Sequence, residues 1–518
     1  MSAFQATAAL IPQLIAQHGR WQANKPALSD GDRTLTWAQF DRETNRVANG
    51  LATLGLEPGA RVAVLMANSI EMALMMFGAG KAGVSVVPLN VAVADAAVSA
   101  MILDSGATAI AASGDYCLRI DQLIASGALP ATVQRLAVVA PDASWRDLPA
   151  WLAAQSAEPP SVQLRPDTEC NIIYSSGTTG QPKGIVHDHR CRLQWATDMA
   201  LALRYHSACV TVCSLGLFSN ISWVAMLATI LVGGTMVIMP NFSPDKLGAT
   251  VRRERVTHGA FVPVQLARVL ESSGFSGADY ASLQTIMSCG SPLAPAIKRA
   301  VRDSLGCDLI ELYGLTEGLV TTLAPEDMEA KIESVGRPIP GQRLTIIDAD
   351  DREVAPGESG EIVGAGPLVM TGYHRRPEAT LEATWHGPNG ERWLRTGDIG
   401  RIDADGFLYV VDRKKDMILS GGQNIYPADI EAVMLQHDAV ADVAVIGVPS
   451  EKWGETPLAV VVVRPHAALE DQVLIDWTNA RVGRQQRISD VRIVAELPRN
   501  PNGKILKREL RRLYALEA

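Results

Sequence analysis

The run Tyr174-Ser-Ser-Gly-Thr-Thr-Gly-Gln-Pro-Lys-Gly184 concentrates more chemistry than any other stretch of this chain. Gly177 and Gly180 admit the positive φ angles that let backbone N–H groups converge on an anion. The hydroxyls of Ser175, Ser176, Thr178 and Thr179 add donors, and Lys183 adds a compact positive charge. Such a loop can hold a triphosphate, specifically its β and γ groups. Its residue order is not the G-x-x-x-x-G-K-[ST] of a Walker loop. A solvated Ser/Thr/Gly linker would have the same composition. Ile172-Ile173-Tyr174 before it and Ile185-Val186 after it argue instead for a loop between buried elements.

Further along, Glu311-Leu-Tyr-Gly-Leu-Thr-Glu317 follows an apolar strand. Tyr313 can stack on a planar base, Gly314 allows close approach, Thr316 can bond a phosphate oxygen, and Glu317 can hold a hard cation. The plain alternative is a strand end with a buried Tyr and a surface Glu. In Thr396-Gly397-Asp398, an ionised carboxylate can accept from both hydroxyls of a ribose, although any Gly-Asp turn would read the same way. Asp412-Arg-Lys-Lys-Asp416 by itself is a solvated charge run. Ser420-Gly-Gly-Gln-Asn-Ile-Tyr-Pro427 is a glycine loop entering a helix, able to line a narrow channel or simply to connect. Near the C-terminus, Asn500-Pro-Asn-Gly503 is turn chemistry that projects Lys504 from a tight bend.

Taken in order, these strings resemble the ATP-dependent adenylate-forming (AMP-binding) superfamily, which includes acyl-CoA synthetases, luciferases and peptide-synthetase adenylation domains. The likeness is to its acyl-CoA synthetase branch and runs from residue 174 to 508. It implies that Ser175, Ser176, Gly177, Thr178, Thr179, Gly180 and Lys183 form the phosphate loop. Gly290, Ser291, Glu311, Leu312 and Tyr313 would join them at the nucleotide, Tyr313 stacking on the adenine. Thr316 would meet the AMP phosphate, Glu317 would hold Mg²⁺, and Asp398 and Arg413 would contact the ribose. Lys415 falls at the inter-domain hinge, and Gly421 and Gly422 at the CoA channel. Lys504 is implied as the catalytic lysine bridging the substrate carboxylate and the α-phosphate. The co-substrates implied are ATP, with Mg²⁺, and CoA.

The elements that must position these residues are mostly strands alternating with helices. Arg61 to Met66 reads as a buried strand, Ser69 as a cap, Ile70 to Ala82 as an apolar helix and Val84 to Val87 as the next strand. That βαβ unit implies a parallel sheet with right-handed crossovers. Similar units recur at 108–139, 235–270 and 283–309. After about residue 335 short strands and tight turns take over, which predicts a β-rich subdomain. Past the charge run, a small α+β domain is expected, with strands at 440–448 and 457–463 and helices at 428–435 and 469–479. The expected class is α/β. A large AMP-binding domain (1–412, its β-rich part from about 335) leads through a hinge (413–416) to a small mobile domain (417–518). Chains of 518 residues outgrow a single core.

A net charge of −9 argues against a general nucleic-acid binder. The seven cysteines are scattered without a C-x-x-C pair and read as reduced, mostly buried thiols. Trp223 to Met239 approaches membrane-spanning length but is broken by Gly233-Gly234, so a buried helix, a glycine stop and a strand are expected rather than a membrane span. Neither end carries a recognisable targeting signal, and a cytoplasmic location is expected. Oligomeric state is not readable from the chain.

The segment Ser214 to Trp223 should cover the acyl pocket. Many relatives place a His near its start; here Phe218, Ser219 or Asn220 stands there. Phe218, Asn220, Cys289, Leu312, Gly314, Leu319 and Val320 are the pocket candidates, against ordinary core packing. None is charged. An amino-acid substrate would want an Asp in 218–223 and a dicarboxylate an Arg or Lys, so an uncharged, medium-size aliphatic or cyclic monocarboxylic acid is expected. CoA is the expected acceptor, since no carrier domain follows residue 518. An enzyme loading a carrier-protein phosphopantetheine and a non-catalytic nucleotide-binding relative are the alternatives; Lys183, Glu317 and Lys504 argue against the latter.

Overall fold

The protein, seen here as a computed structural model, is described over residues 9–175, 182–420, 423–450, 453–465, 467, 469–484, 486–499 and 503–514. It divides into two compact units. One comprises 1–332, 338–342 and 365–384, and the other 333–337, 343–364 and 385–518. The division therefore runs through the β-rich stretch.

In the first unit the expected βαβ pattern forms. The strand Arg61–Leu65 leads through helix Ile70–Lys81 to the parallel strand Ser85–Pro88. The helix starts where the Ser69 hydroxyl accepts from the Met72 N–H, satisfying one of its orphan donors. Its residues are buried all round, which is why its sequence is apolar all round. The full sheet runs in the order Gly372–Tyr373, Lys183–Asp188, Glu169–Ser175, Ser85–Pro88, Arg61–Leu65, Ala109–Ala112, Gln134–Ala137 and Arg146–Asp147. From Glu169–Ser175 onward the neighbours are parallel, while the two strands before it pair antiparallel.

A second sheet runs Val320–Leu323, Asp308–Gly314, Thr285–Cys289, His258–Phe261, Val210–Cys213, Thr235–Ile238, Pro26–Ser29 and Thr34–Thr36. Helix Asn220–Val232 packs into the core beside it, ends on Gly233 at φ +68°, and is followed by strand Thr235–Ile238. The long apolar stretch is thus a buried helix, a glycine stop and a strand. Among the described residues no helix is long and apolar enough to cross a membrane. All seven cysteines are buried and unpaired, as expected of packed thiols.

In the second unit, Arg343–Ile347, Gly360–Ala365, Arg392–Ile402 and Leu408–Arg413 form one sheet. The C-terminal sheet pairs Gln423–Ile425 with Ile418–Ser420, then Gly454–Val463 and Val440–Ser450, with Asp490–Val494 parallel to Gly454–Val463. Strand alternation divides its core. Val443 and Val445 pack with Ile430 and Leu474 on one face, Ala444 and Ile446 with Leu497 and Leu510 on the other. Helices Pro427–Met434 and Asp471–Asn479 cover the first face and Lys507–Tyr514 the second.

Candidate active site

The loop singled out by sequence lies between two paired strands. Strands Glu169–Ser175 and Lys183–Asp188 are antiparallel, and Ser175 stands opposite Lys183. Ser176, Gly177, Thr178, Thr179 and Gly180 lie outside the described residues, as do Gly421 and Gly422. Tyr174, the last apolar residue before the loop, donates to Asp104 Oδ2 at 2.7 Å, and Arg376 meets Asp104 Oδ1 at 3.1 Å. The strand pair is therefore anchored to the helix Asp95–Ser105 before the loop begins.

Next to Lys183–Asp188 lies the short strand Gly372–Tyr373. The Lys183 ammonium sits 5.0 Å from the Tyr373 ring centroid, within cation–π range. The same phenol donates to Glu317 Oε1 at 2.9 Å. Burial first, then the Glu317 charge, pushes the Tyr373 phenol well above its usual range, so it stays a donor. Lys183 and Glu317 are thereby joined through one aromatic residue that no sequence motif singles out.

Strand Asp308–Gly314 ends in the turn 315–318, which carries Thr316 and Glu317. The turn is closed by Gly318 N–H donating to the Leu315 carbonyl, and is pinned by Met370 N–H donating to the Glu317 carbonyl at 2.8 Å. Tyr313 and Gly314 are half-buried at the strand end. Glu311, expected at the nucleotide, is 4% exposed. Its carboxylate pairs with the buried Lys298 and accepts from the Leu293 N–H at 3.2 Å. It thereby braces the segment that begins at Gly290 and Ser291. Leu312 is core, in register with Cys289 on the neighbouring strand.

The pocket candidates come together in part. Cys289, Leu312 and Val320 belong to the large apolar core of the first unit, which also holds Ile221, and Phe218 packs against that core half-buried. Leu319 is fully buried beside Gly314. Burial pushes the Cys289 thiol up to about 12, so it serves as a small apolar group. Asn220, half-buried at the start of helix Asn220–Val232, accepts from Arg192 Nη1 at 2.9 Å. Arg192 and its neighbour His187 went unremarked in the sequence.

In the second unit, Asp398 and Arg413 are cross-strand partners, and Arg413 Nε lies 2.7 Å from Asp398 Oδ1. The Asp398 N–H donates to Thr396 Oγ1, whose own hydroxyl bonds the Ile362 carbonyl. Lys504 is partly buried among Arg413, Asp398, Lys415 and Asp416. Burial, and then the Arg413 charge, push its ammonium down to about 8. Lys414 bonds Glu361 at 2.9 Å, Asp416 pairs with Arg511 at 2.9 Å, and Asp412 Oδ2 accepts from the Ala428 N–H at 3.0 Å. The charge run 412–416 is thus largely bonded within its unit. Lys415 remains exposed between these ties.

No cluster of three or more His, Cys, Asp or Glu able to cage a metal occurs among the described residues. A lone carboxylate such as Glu317 suits Mg²⁺, which keeps most of its waters and is held largely by phosphate oxygens.

Residues 15–374 match the AMP-binding enzyme family, and residues 429–504 match the AMP-binding enzyme C-terminal domain. The chain is 34% identical over 489 residues to the long-chain-fatty-acid–CoA ligase FadD13 of Mycobacterium tuberculosis, covering 93% of this chain and 94% of that protein. It is 34% identical over 514 residues to a feruloyl-CoA synthase from an Amycolatopsis species, covering 96% and 98%. Among solved structures, ATP-bound MatB from Rhodopseudomonas palustris matches with a TM-score of 0.88 at 28% identity, over 97% of this chain and 99% of that one. The chain belongs to the AMP-binding enzymes. Within them it falls in the acyl-CoA synthetase branch of the adenylate-forming superfamily.

Proposed function

We propose that this enzyme joins an uncharged, medium-size aliphatic or cyclic monocarboxylic acid to CoA in two half-reactions. In the first, an oxygen of the acid attacks the α-phosphate of ATP, an acyl-adenylate forms and pyrophosphate leaves. In the second, the thiol of CoA attacks the acyl carbonyl, the thioester forms and AMP leaves. The observation that carries the reading is Lys504 beside the Asp398–Arg413 pair. A cation beside a carboxylate suited to a ribose is what attack at the α-phosphate requires, since charge builds there.

Each group then has a task. The loop with Ser175 and Lys183 grips the departing pyrophosphate, and Tyr313 stacks on the adenine. Thr316 meets the α-phosphate, and Asp398 with Arg413 holds the ribose. Mg²⁺ bound at Glu317 would offset negative charge on the phosphates. Catalysis is mainly positioning and electrostatics, so each lost charged contact costs about 3 kcal/mol, roughly a hundredfold in rate. Rotation of the residues beyond Lys415 would then withdraw Lys504 and present the Gly421-Gly422 side to the adenylate. An apolar acyl tail is supported by the uncharged candidates Phe218, Cys289, Leu312 and Val320, which lie in or against the apolar core of the first unit.

The test is AMP release from ATP over a panel of carboxylic acids, with and without CoA. Acid-dependent AMP release that CoA accelerates, strongest with neutral monocarboxylates, is the expected result. Turnover with a phosphopantetheinylated carrier protein but not CoA would replace the acceptor. Absence of pyrophosphate exchange with every acid would overturn the enzymatic reading.

A further inference from the structure

Arg192 is fully buried, yet every side chain it bonds is neutral. Its Nε donates to Asn171 Oδ1 at 2.7 Å, Nη1 to Asn220 Oδ1 at 2.9 Å, and Nη2 to His187 Nδ1 at 3.2 Å. The guanidinium also lies 4.9 Å from the Trp223 ring centroid. No ion pair to it occurs among the described residues. A buried arginine without a carboxylate is costly, and such groups persist where their geometry has a use. Asn171 bears part of that cost, because its buried Nδ2 has no hydrogen-bond partner among the described residues.

The three partners lie on three different elements, and the network reaches a fourth. Asn171 and His187 are register partners on the two strands flanking the phosphate loop, and Asn220 opens the helix beside the acyl-pocket candidates. His187 leads on to the fourth, the turn 315–318, because its Nε2 lies 2.9 Å from the Thr316 carbonyl. The tautomer follows by elimination. Arginine only donates, so Nδ1 of His187 must accept; a neutral ring then carries its proton on Nε2 and donates it to the Thr316 carbonyl. Burial and the Arg192 charge both hold His187 neutral.

We propose that Arg192 is a positioning residue for adenylation: through Nε2-protonated His187 it fixes the Thr316 turn, and through Asn220 it fixes the mouth of the acyl pocket, so that one buried charge sets the phosphate and acid subsites together. The inference rests on the adenylation reading above and adds a coupling between the two subsites.

Two measurements test it. In protein labelled with ¹⁵N-histidine, and assigned by loss of a signal in His187→Gln, His187 should show the Nε2–H tautomer, unprotonated at Nδ1, across neutral pH. Finding Nδ1–H overturns the proposal without any functional assay. In pyrophosphate exchange, Arg192→Lys keeps the charge but cannot fork to three acceptors. It should lower kcat about tenfold and raise KM for the acid severalfold while changing KM for ATP little, the scale of losing a charge-assisted hydrogen bond. His187→Leu should lower kcat similarly, and His187→Gln, which keeps an acceptor and a donor, should recover most of it. Wild-type kcat in both Arg192→Lys and His187→Leu overturns the coupling. An inactive wild-type enzyme with every acid would instead defeat the adenylation reading, leaving the tautomer measurement to decide the local network.

Discussion

The Tyr373 phenol donates to Glu317 Oε1 at 2.9 Å while its ring carries the Lys183 ammonium at 5.0 Å. The residue proposed to hold the cation and the one proposed to hold the pyrophosphate are thus oriented by a single side chain. Tyr373→Phe keeps the ring and removes only the bond to Glu317. It should reduce kcat/KM for ATP by about tenfold, the effect of one hydrogen bond to a charged group. Tyr373→Leu also removes the cation–π contact and should cost about 0.5–1 kcal/mol more. Pyrophosphate exchange at varied MgATP reads both; equal activity of the Phe and wild-type enzymes would exclude the phenol from the site.

The environment of Lys504 sets a pH limit. Its ammonium is pushed down to about 8 by burial and by Arg413, whereas an ordinary lysine stays charged to beyond pH 10. The cationic form is the one that can stabilise the α-phosphate. In free enzyme, kcat/KM for ATP should therefore fall as pH rises through about 8. Bound phosphates favour the cation, so the corresponding limb in kcat should lie at higher pH. Lys504→Arg, charged at every accessible pH, should remove the alkaline limb even if its absolute rate is low. Lys504→Ala should lose adenylation by roughly a hundredfold and spare thioester formation from supplied acyl-adenylate. Lys415→Pro should do the reverse, preserving pyrophosphate exchange and slowing the thioester step. A matching loss in both half-reactions for either variant would count against a rotation between two arrangements.

The parts of this architecture legible in the sequence were those written locally. The strand, Ser69 cap and helix from Arg61 to Lys81 declare themselves through periodicity and capping, and the buried elements on either side of the Ser175–Lys183 loop through their apolar runs, though not their antiparallel pairing. The glycine stop at 233 is equally local. Arg192 was not legible, because an arginine in a helix is expected on its solvent face and nothing nearby in sequence announces acceptors on three other elements. Tyr373 went unseen because its partner Glu317 is 56 residues away and the contact exists only once two strands and a turn converge. Glu311 shows the opposite difficulty. The resemblance implies Glu311 at the nucleotide, while its carboxylate is turned inward to Lys298, a contact that nothing in the local sequence announces.

That buried Lys298–Glu311 pair makes a stability prediction with a definite sign. Burial raises the Glu311 carboxyl above its ordinary value, and Lys298 opposes the rise. Lys298→Met removes the opposing charge and leaves the carboxylate in the core, which costs about 3–5 kcal/mol where Glu311 is ionised. With the folded-state value raised further, the folded protein binds a proton that the unfolded chain has already released at the same pH. The deficit should therefore shrink as pH falls toward 5 and be full at pH 8. Thermal melts at the two pH values read this directly. A pH-independent deficit would mean that the loss is one of packing alone.

Two glycines separate backbone strain from steric collision. Gly318 closes the turn carrying Thr316 and Glu317 at φ +115°, and a Cβ there would lie 2.0 Å from the Leu368 carbonyl oxygen. Gly397, just before Asp398, has φ +69° but open space where its Cβ would be. Gly397→Ala meets only the intrinsic penalty of the left-handed region, about 1–2 kcal/mol, and should yield folded protein with a modestly lower Tm. Gly318→Ala adds a collision with backbone, and the close-packed interior leaves only the turn itself free to yield. That displacement would carry Thr316 and Glu317 with it. Gly318→Ala should therefore lose far more pyrophosphate exchange than Gly397→Ala, with ATP affinity lowered even in the fraction that remains folded. Comparable activity and Tm in the two variants would show that the turn tolerates movement, and that its carbonyl contacts with His187 and Met370 are not what holds the site in shape.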